Sequence, residues 1–410
     1  MEQARREMAL ILGLLTLISV LALLIIDYRS ETRKALRRIP GPLYTSFTNL
    51  PLKSAVLTGR RTGFIHSLHQ KYGAVVRISP KEISIVDPEA SKVIHRAGSG
   101  FWKSDWYARF TNQPVPTLFT MADPKQHAER RRLLARGFSK SEVRARWEPV
   151  VRQTAERALD KMNQDLIRGK ADILKWWLHM ATDVSSHFMF GESFGTLETG
   201  KANHYFRVLQ LAGKGGSIAN EVPIFGFFGR YMPLATFRDL FWSNDYLSAY
   251  GAEAITKSMK QGVDTISVFS QLEPSEEPVS HNKSSRPLTV QDLSTEAGNL
   301  ILAGTDTTAY TLTCLVWSVL RHPFIYSALH EEVAGLENSF TDSALEALPL
   351  LNAVINETLR LYGPASGSLP RIVPSGGVQL GGYLIQENTT VSTQAWTLHR
   401  NEDIWPNAET

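Results

Sequence analysis

At 410 residues with 43% apolar content, the chain can bury a large core, and these figures alone allow one large domain or two to three smaller ones. Its 44 basic and 40 acidic residues leave a net charge of +4, an excess too small and too dispersed for nucleic-acid binding. One cysteine, Cys314, excludes an internal disulfide framework and any zinc site made of several cysteines, and suits a reducing compartment.

Met8 to Ile26 is a 19-residue run without a charge, broken only by Gly13, Thr16 and Ser19. At about 1.5 Å per residue it covers roughly 28 Å, close to a bilayer's hydrocarbon thickness. It exceeds a signal-peptide core and no small-residue cleavage site follows it, so the expectation is an uncleaved transmembrane anchor over 8–26. Arg29, Arg33, Lys34, Arg37 and Arg38 follow the run, whereas Arg5 and Arg6 alone precede it. The positive-inside bias therefore places residues 1–7 in the lumen, that of the endoplasmic reticulum, and the body in the cytosol. Residues 27–45 read as a basic, proline-rich hinge in which Ile39-Pro40-Gly41-Pro42 is stiff and extended, and 46–410 as the body.

Within the body, Val75–Ile78 and Glu82–Val86 alternate around Ser79-Pro80-Lys81 and predict a β-hairpin. Three- and four-residue apolar spacing predicts helices around 142–162, 171–190 and 240–268, with no repeat of fixed period. The polar stretch 273–287 reads as a solvated loop. Thr289 and Asp292 resemble a capping box, and Pro323 stops a helix of ~33 residues. A second helix is expected over about 348–362, and 378–385 with 389–393 read as a small β-sheet. The expected fold is mainly α with small β-sheets.

The long helix carries Ala303-Gly304-Thr305-Asp306-Thr307-Thr308, a polar run in an apolar segment. Buried polar groups destabilise unless they meet partners or chemistry. Gly304, Thr307, Thr308, Thr311, Cys314 and Ser318 recur at helical spacing, so a flat ligand could lie on this stripe, with hydroxyl-to-carbonyl bonds loosening the helix. Asp306 and Thr307 offer a carboxyl and a hydroxyl for proton relay. A helix-packing stripe with internally satisfied threonines explains the same spacing. Glu357 and Arg360, three apart, can pair on one face. His127 and Arg131 share a face and could clamp the carboxylates of a cofactor, while Arg130 and Arg132 could face an acidic protein partner; a solvated basic face is the plain alternative.

Taken in order and spacing, the anchor, Pro40-Gly41-Pro42, His127–Arg131, Ala303–Thr308, Glu357–Arg360 and Pro370-Arg371 resemble the cytochrome P450 superfamily of haem-thiolate monooxygenases. Segments such as Ser67-Leu68-His69-Gln70-Lys71-Tyr72-Gly73 and His399-Arg400-Asn401 look like fungal microsomal members that tailor secondary metabolites. The resemblance implies a P450 fold behind an N-terminal transmembrane helix, with haem (iron-protoporphyrin IX) as cofactor and Ala303 and Gly304 over its distal face. It also implies catalytic roles for Thr307, the oxygen-activating hydroxyl, and Asp306, its proton-relay neighbour. His127, Arg131 and Arg371 would meet the propionates, and Glu357 and Arg360 would be structural. Partners would be an NADPH-cytochrome P450 reductase, the membrane of the endoplasmic reticulum and a small apolar substrate touched by 101–119, 224–228 and 300–303.

Relatives continue past a segment like Trp405-Pro406 to an arginine that joins Glu357 and Arg360, then to a loop whose cysteine thiolate ligates the iron. Thr410 precedes both, so the expectation is a P450-like catalytic domain over 46–410 that is incomplete, its metal ligand lying beyond Thr410. Such a chain is either part of a working monooxygenase or a truncated, non-catalytic remnant. Cys314 is no substitute: seven residues from Thr307, it sits on nearly the same helix face about 10 Å along. A membrane enzyme with a histidine-held metal is disfavoured, because the 11 histidines form no His-x-x-x-His or Glu-x-x-His cluster.

Overall fold

The computed structural model describes residues 29–111, 113, 115–260, 267–269, 288–337 and 339–409. They form two compact units, one of residues 29–104 with 367–408, the other of residues 105–366 with Glu409. The apolar run 8–26 and the polar stretch 273–287 lie outside the described residues. Among the described residues no helix is long and apolar enough to cross a membrane.

The first unit opens with α1 (Glu31–Arg37), capped by Ser30, whose hydroxyl accepts from the Arg33 amide. Part of the expected hinge is therefore helical, because a serine cap and good helix formers outweigh charge repulsion along a basic flank. Arg77 then pins the segment that follows. Its buried guanidinium donates to the carbonyls of Leu36, Ile39 and Pro42 and to the Thr45 hydroxyl at 3.0 to 3.3 Å. At Gly41 a Cβ would collide with the Arg77 carbonyl, so glycine lets the two backbones meet.

Next come α2 (Leu50–Leu57), α3 (Arg61–Tyr72), β1 (Val75–Ser79), β2 (Glu82–Ile85) and α4 (Pro88–His95), the last capped by the Asp87 carboxylate. The expected hairpin pairs Val75 with Ile85. The unit closes with β3 (Trp102–Lys103), β4 (Arg371–Ile372), β5 (Val378–Leu380), β6 (Tyr383–Ile385) and β7 (Thr390–Thr393). A five-stranded sheet runs β1-β2-β7-β4-β3, with β2 and β7 parallel. The local pattern groups 389–393 with 378–385; instead β7 enters the large sheet and β5–β6 is a separate hairpin. The reason is burial: Val391 fills the core with Ile83, Ile85 and Ile94, an environment distant in sequence and invisible to local pattern.

The second unit is helical: α5 (Trp106–Thr111), α6 (Pro124–Leu134), α7 (Glu148–Ile167), α8 (Ile173–Phe190), α9 (His204–Glu221), α10 (Pro223–Phe228), α11 (Ala235–Lys260), α12 (Val290–Arg321), α13 (Pro323–Ala334) and α14 (Pro349–Tyr362). The expected helix over 142–162 starts as a π turn, Val143–Trp147, before α7. The one over 240–268 begins earlier, at Ala235, and Val268 lies outside it in a turn, its amide donating to the Phe188 carbonyl. The core of the unit gathers Leu293, Ala297 and Ile301 of α12, Met189 and Phe190 of α8, Tyr205, Phe206 and Leu209 of α9 and Ile255 of α11.

Burial disfavours the charged form of four histidine rings. Burial is the first cause that lowers the pKa of His69, His95, His179 and His187. At His69 the Gly73 carbonyl, an acceptor only, fixes the proton on Nδ1 at 2.9 Å, leaving Nε2 to accept from the Ser84 hydroxyl at 2.7 Å. A histidine whose folded pKa is depressed contributes stability that is present above the unfolded value of about 6.5 and lost as pH falls below it. Denaturant midpoints are expected to fall steadily from about pH 7 to pH 5.5, and His69→Gln to flatten that slope. Midpoints independent of pH across this range contradict the assignment.

Candidate functional site

The long helix α12 is placed by its first two turns. Thr289 and Asp292 form the expected capping box: the Asp292 amide donates to the Thr289 hydroxyl at 3.1 Å and the Thr289 amide to Asp292 Oδ2 at 2.9 Å. The second Asp292 oxygen accepts from Arg130 Nη2 at 3.1 Å, and Arg130 Nη1 donates to Glu296 Oε2 at 3.2 Å. Both Glu296 oxygens also accept from the Leu118 amide at 3.1 Å. All three charged side chains are buried. Burial pushes the Glu296 carboxyl up, against the opposing pull of the Leu118 amide and Arg130.

This cluster corrects the reading of Arg130 as a partner-facing cation. Residues two apart on a helix point nearly opposite ways, so with Arg130 turned into the core, Arg132 is exposed. Asp292 and Glu296, four apart on an apolar helix, were the available signal: two buried acids on one face demand a cation.

Beyond the cluster, α12 is helical without a break from Val290 to Arg321, so the hydroxyls do not open it at 303–308. The small-residue stripe splits between two environments. Gly304 faces α8, where a Cβ would approach the Ser185 hydroxyl to 2.8 Å; it serves close helix packing rather than ligand approach. Ala303, Thr307, Tyr310, Cys314 and Trp317 follow one another along a side that is exposed or half-buried. Ile301, Thr305 and Ala309 occupy the opposite, fully buried side. Thr307 Oγ1 donates to the Ala303 carbonyl at 2.5 Å and Thr311 Oγ1 to the Thr307 carbonyl at 2.8 Å, the internal satisfaction that the packing alternative expects. The Thr307 oxygen keeps its acceptor capacity. Asp306 is half-buried; desolvation pushes its carboxyl up, while a hydrogen bond from Gln210 on α9 pulls it down.

His127 and Arg131 lie on α6 in this same unit, His127 half-buried and Arg131 exposed. Arg371 lies in the other unit, on β4, where its Nη1 donates to the Pro370 carbonyl at 3.1 Å. Glu357 and Arg360 form the expected pair in two-pronged geometry, Nε to Oε2 at 2.7 Å and Nη2 to Oε1 at 2.5 Å. Arg360 is buried and holds the more exposed Glu357 below its ordinary pKa.

The apolar stretches assigned to substrate fare unevenly. Ile224 and Phe227 of α10 face solvent, 60% and 70% exposed, so 224–228 lines no interior in this structure. Trp106, Tyr107, Phe110 and Phe119 pack on one another, with Trp106 stacked on Phe110 at 4.8 Å and Tyr107 edge-on to Phe119 at 5.1 Å.

As a place for one face of a flat group, the second unit offers a small-residue wall at Ala303 and Thr307 of α12, and α6 separately carries an exposed cation, Arg131. Small side chains there suit a planar group. They do not supply a thiolate for the other face, since Cys314 shares the side of α12 that carries Thr307. Among the described residues no group of three or more His, Cys, Asp or Glu is arranged to hold a metal ion.

The family model described as cytochrome P450 matches residues 40–410. The chain is 42% identical over 383 residues to the cytochrome P450 monooxygenase stcB of Emericella nidulans, covering 92% of this chain and 72% of that protein. It is 37% identical over 410 residues to the cytochrome P450 monooxygenase cypX of Dothistroma septosporum, 98% and 79% of the two lengths. It is 32% identical over 382 residues to the methylphloroacetophenone oxidase of Cladonia uncialis, 91% and 84%. A retinoic acid-bound cyanobacterial structure, CYP120A1, superposes with TM-score 0.66 at 21% identity, covering 87% of this chain and 77% of that one.

The buried cluster makes a direct prediction. Arg130→Met leaves two buried carboxylates without their cation and is expected to lower unfolding free energy by about 3–5 kcal/mol, read by denaturant titration. Adding Glu296→Gln is expected to restore part of that loss. A loss of less than about 1 kcal/mol, the range of a surface pair, contradicts the cluster.

Proposed function

The chain belongs to the cytochrome P450 family, and we propose that it is a membrane-anchored haem monooxygenase of fungal secondary metabolism that inserts one oxygen atom from O2 into an apolar small molecule. The observation that carries this reading is the uncovered Ala303–Thr307 side of α12, with a half-buried carboxyl one residue from the hydroxyl. Haem, if bound there, would supply the iron at which O2 is taken up, with the electrons coming from NADPH through a reductase.

The residues of the chain then have separable tasks. Ala303 presents a methyl group, leaving room for a planar group against the helix. Thr307 spends its proton on the Ala303 carbonyl, which orients its oxygen and leaves the lone pairs to accept from a water. Asp306, its carboxyl pushed up by burial, is suited to hold and release a proton nearer to neutrality than an exposed aspartate. His127 and Arg131 are assigned to the cofactor's carboxylates, which cationic side chains suit. The Glu357–Arg360 pair is a structural brace. The exposed Arg132 and Arg136, with Lys125, form the basic surface assigned to the reductase. The run 8–26 anchors the protein in the endoplasmic reticulum membrane with its body in the cytosol.

Coupling of product to NADPH tests this. Thr307→Ala removes the oriented oxygen without altering the buried side of α12. Product per NADPH is expected to fall at least about tenfold, a bound below the roughly hundredfold or more that a positioned acid–base group contributes, with haem content and substrate affinity retained. Unchanged coupling in this variant contradicts the role given to Thr307.

A further inference from the structure

Tyr205 on α9 is 1% exposed, yet among the described residues its hydroxyl has no hydrogen-bond partner. A phenol O–H both donates and accepts, and leaving both capacities unused inside a core is destabilising. Burial first, then the neighbouring phenols of Tyr250 and Tyr246, push its pKa up, so it stays a donor. Gln113, two residues past α5, has the complementary defect: its Oε1 is buried and also lacks a partner among the described residues. Both residues line one cavity of about 20 Å3, together with Ser248 of α11 and Ser294, Thr295 and Gly298 of α12. The other lining hydroxyls are already oriented. Ser294 Oγ donates to the Ser248 carbonyl at 3.2 Å and Thr295 Oγ1 to the Gln291 carbonyl at 2.8 Å, so both keep lone pairs for a further donor. Close packing and a glycine preserve the space. A Cβ at Gly251 of α11 would collide with Ser294 Oγ, so α11 and α12 already touch beside the cavity. A Cβ at Gly298 would stand 3.0 Å from the Tyr205 hydroxyl. Glycine is a weaker helix former than alanine, and the room it leaves here is what it supplies in return.

We infer that this cavity is a binding site for a single internal water, which accepts from the Tyr205 hydroxyl and donates to Gln113 Oε1 and to Ser294 Oγ or Thr295 Oγ1. Size and chemistry agree. The volume exceeds the ~10–15 Å3 that one water needs, and an internal water takes two to four polar partners. Every lining residue is neutral, so nothing there offsets the charge of a bound ion. A molecule that both donates and accepts completes Tyr205 and Gln113 together. The water thereby bridges α9, α12 and the segment after α5. Gly298 lies nine residues before Thr307, two and a half turns away, on the opposite side of α12. The site is therefore no part of the surface assigned to the cofactor, and its role is to hold the helices behind that surface in place.

Two measurements on the full chain test this. In a crystal structure, one peak of density is expected at about 2.5–3.0 Å from both Tyr205 Oη and Gln113 Oε1. Denaturant titration of Tyr205→Phe reads the same question through a sign. A hydroxyl bonded to water is lost together with its bond, and the unfolding equilibrium constant is expected to rise about fivefold or more. A hydroxyl without any partner is better removed, so that constant would stay level or fall. The conservative change keeps the ring and its packing, so the variant folds and the sign is readable. A cavity without density between the two atoms overturns the inference, as does a rotation of Gln113 that bonds it directly to Tyr205. A Tyr205→Phe protein at least as stable as wild type overturns it as well.

Discussion

Two acids and one arginine, all withdrawn from water, set the frame of the helical unit. Arg130 on α6 bonds both Asp292 and Glu296 on α12, and Glu296 in turn receives the Leu118 amide. Pairs of this kind add little net stability over a well-packed apolar replacement, yet breaking them is expensive, so what they confer is a fixed arrangement. Here they fix the rotation of α6, the register of α12 and the turn at 117–121. With Arg130 inward, Arg131 and Arg132 must emerge on other sides of α6. With Asp292 and Glu296 inward, the phase of α12 is settled, and Ala303 and Thr307, two and three turns on, continue the Glu296 face beyond the cluster, where it is exposed or half-buried.

That phase gives the polar run its division of labour. The side through Ile301, Thr305 and Ala309 is core, Gly304 admits α8, and Ala303 with Thr307 stays uncovered. Asp306 lies between these sides, half-buried, so that desolvation shifts its carboxyl upward. One helix thereby joins a packing surface, a small-residue wall and a half-buried titratable group, features that suit a proton-managing site.

Much of this was legible in the sequence because it is local. Thr289 with Asp292, Pro323 after Arg321-His322, the alternation on either side of Pro80 and the three-residue spacing of Glu357 and Arg360 each involve neighbours whose interaction is dictated by chain geometry. What the sequence concealed depends on partners far along the chain. Arg130 reads as one of three surface arginines until Asp292 and Glu296, more than 160 residues later, are folded against it. Gly304 reads as a ligand contact until Ser185 fills the space. The resemblance alone put 224–228 at the substrate, and the 70% exposure of Phe227 is a fact of tertiary placement. β7 was assigned to its sequence neighbours, whereas the parallel pairing with β2 joins segments about 300 residues apart. Family membership was legible for the complementary reason: motifs spread over the whole chain kept their order and spacing.

The central claim is that the Ala303–Thr307 side of α12 is the wall against which a planar, acid-bearing cofactor lies. The most direct measurement is an absorption titration of the protein with haemin, comparing wild type with Ala303→Trp, a substitution on the open side that leaves the core of α12 untouched. The account predicts saturable one-to-one binding by wild type and affinity weakened by about tenfold or more in the variant, because an added indole overfills the wall. Equal affinity in the two proteins would contradict it.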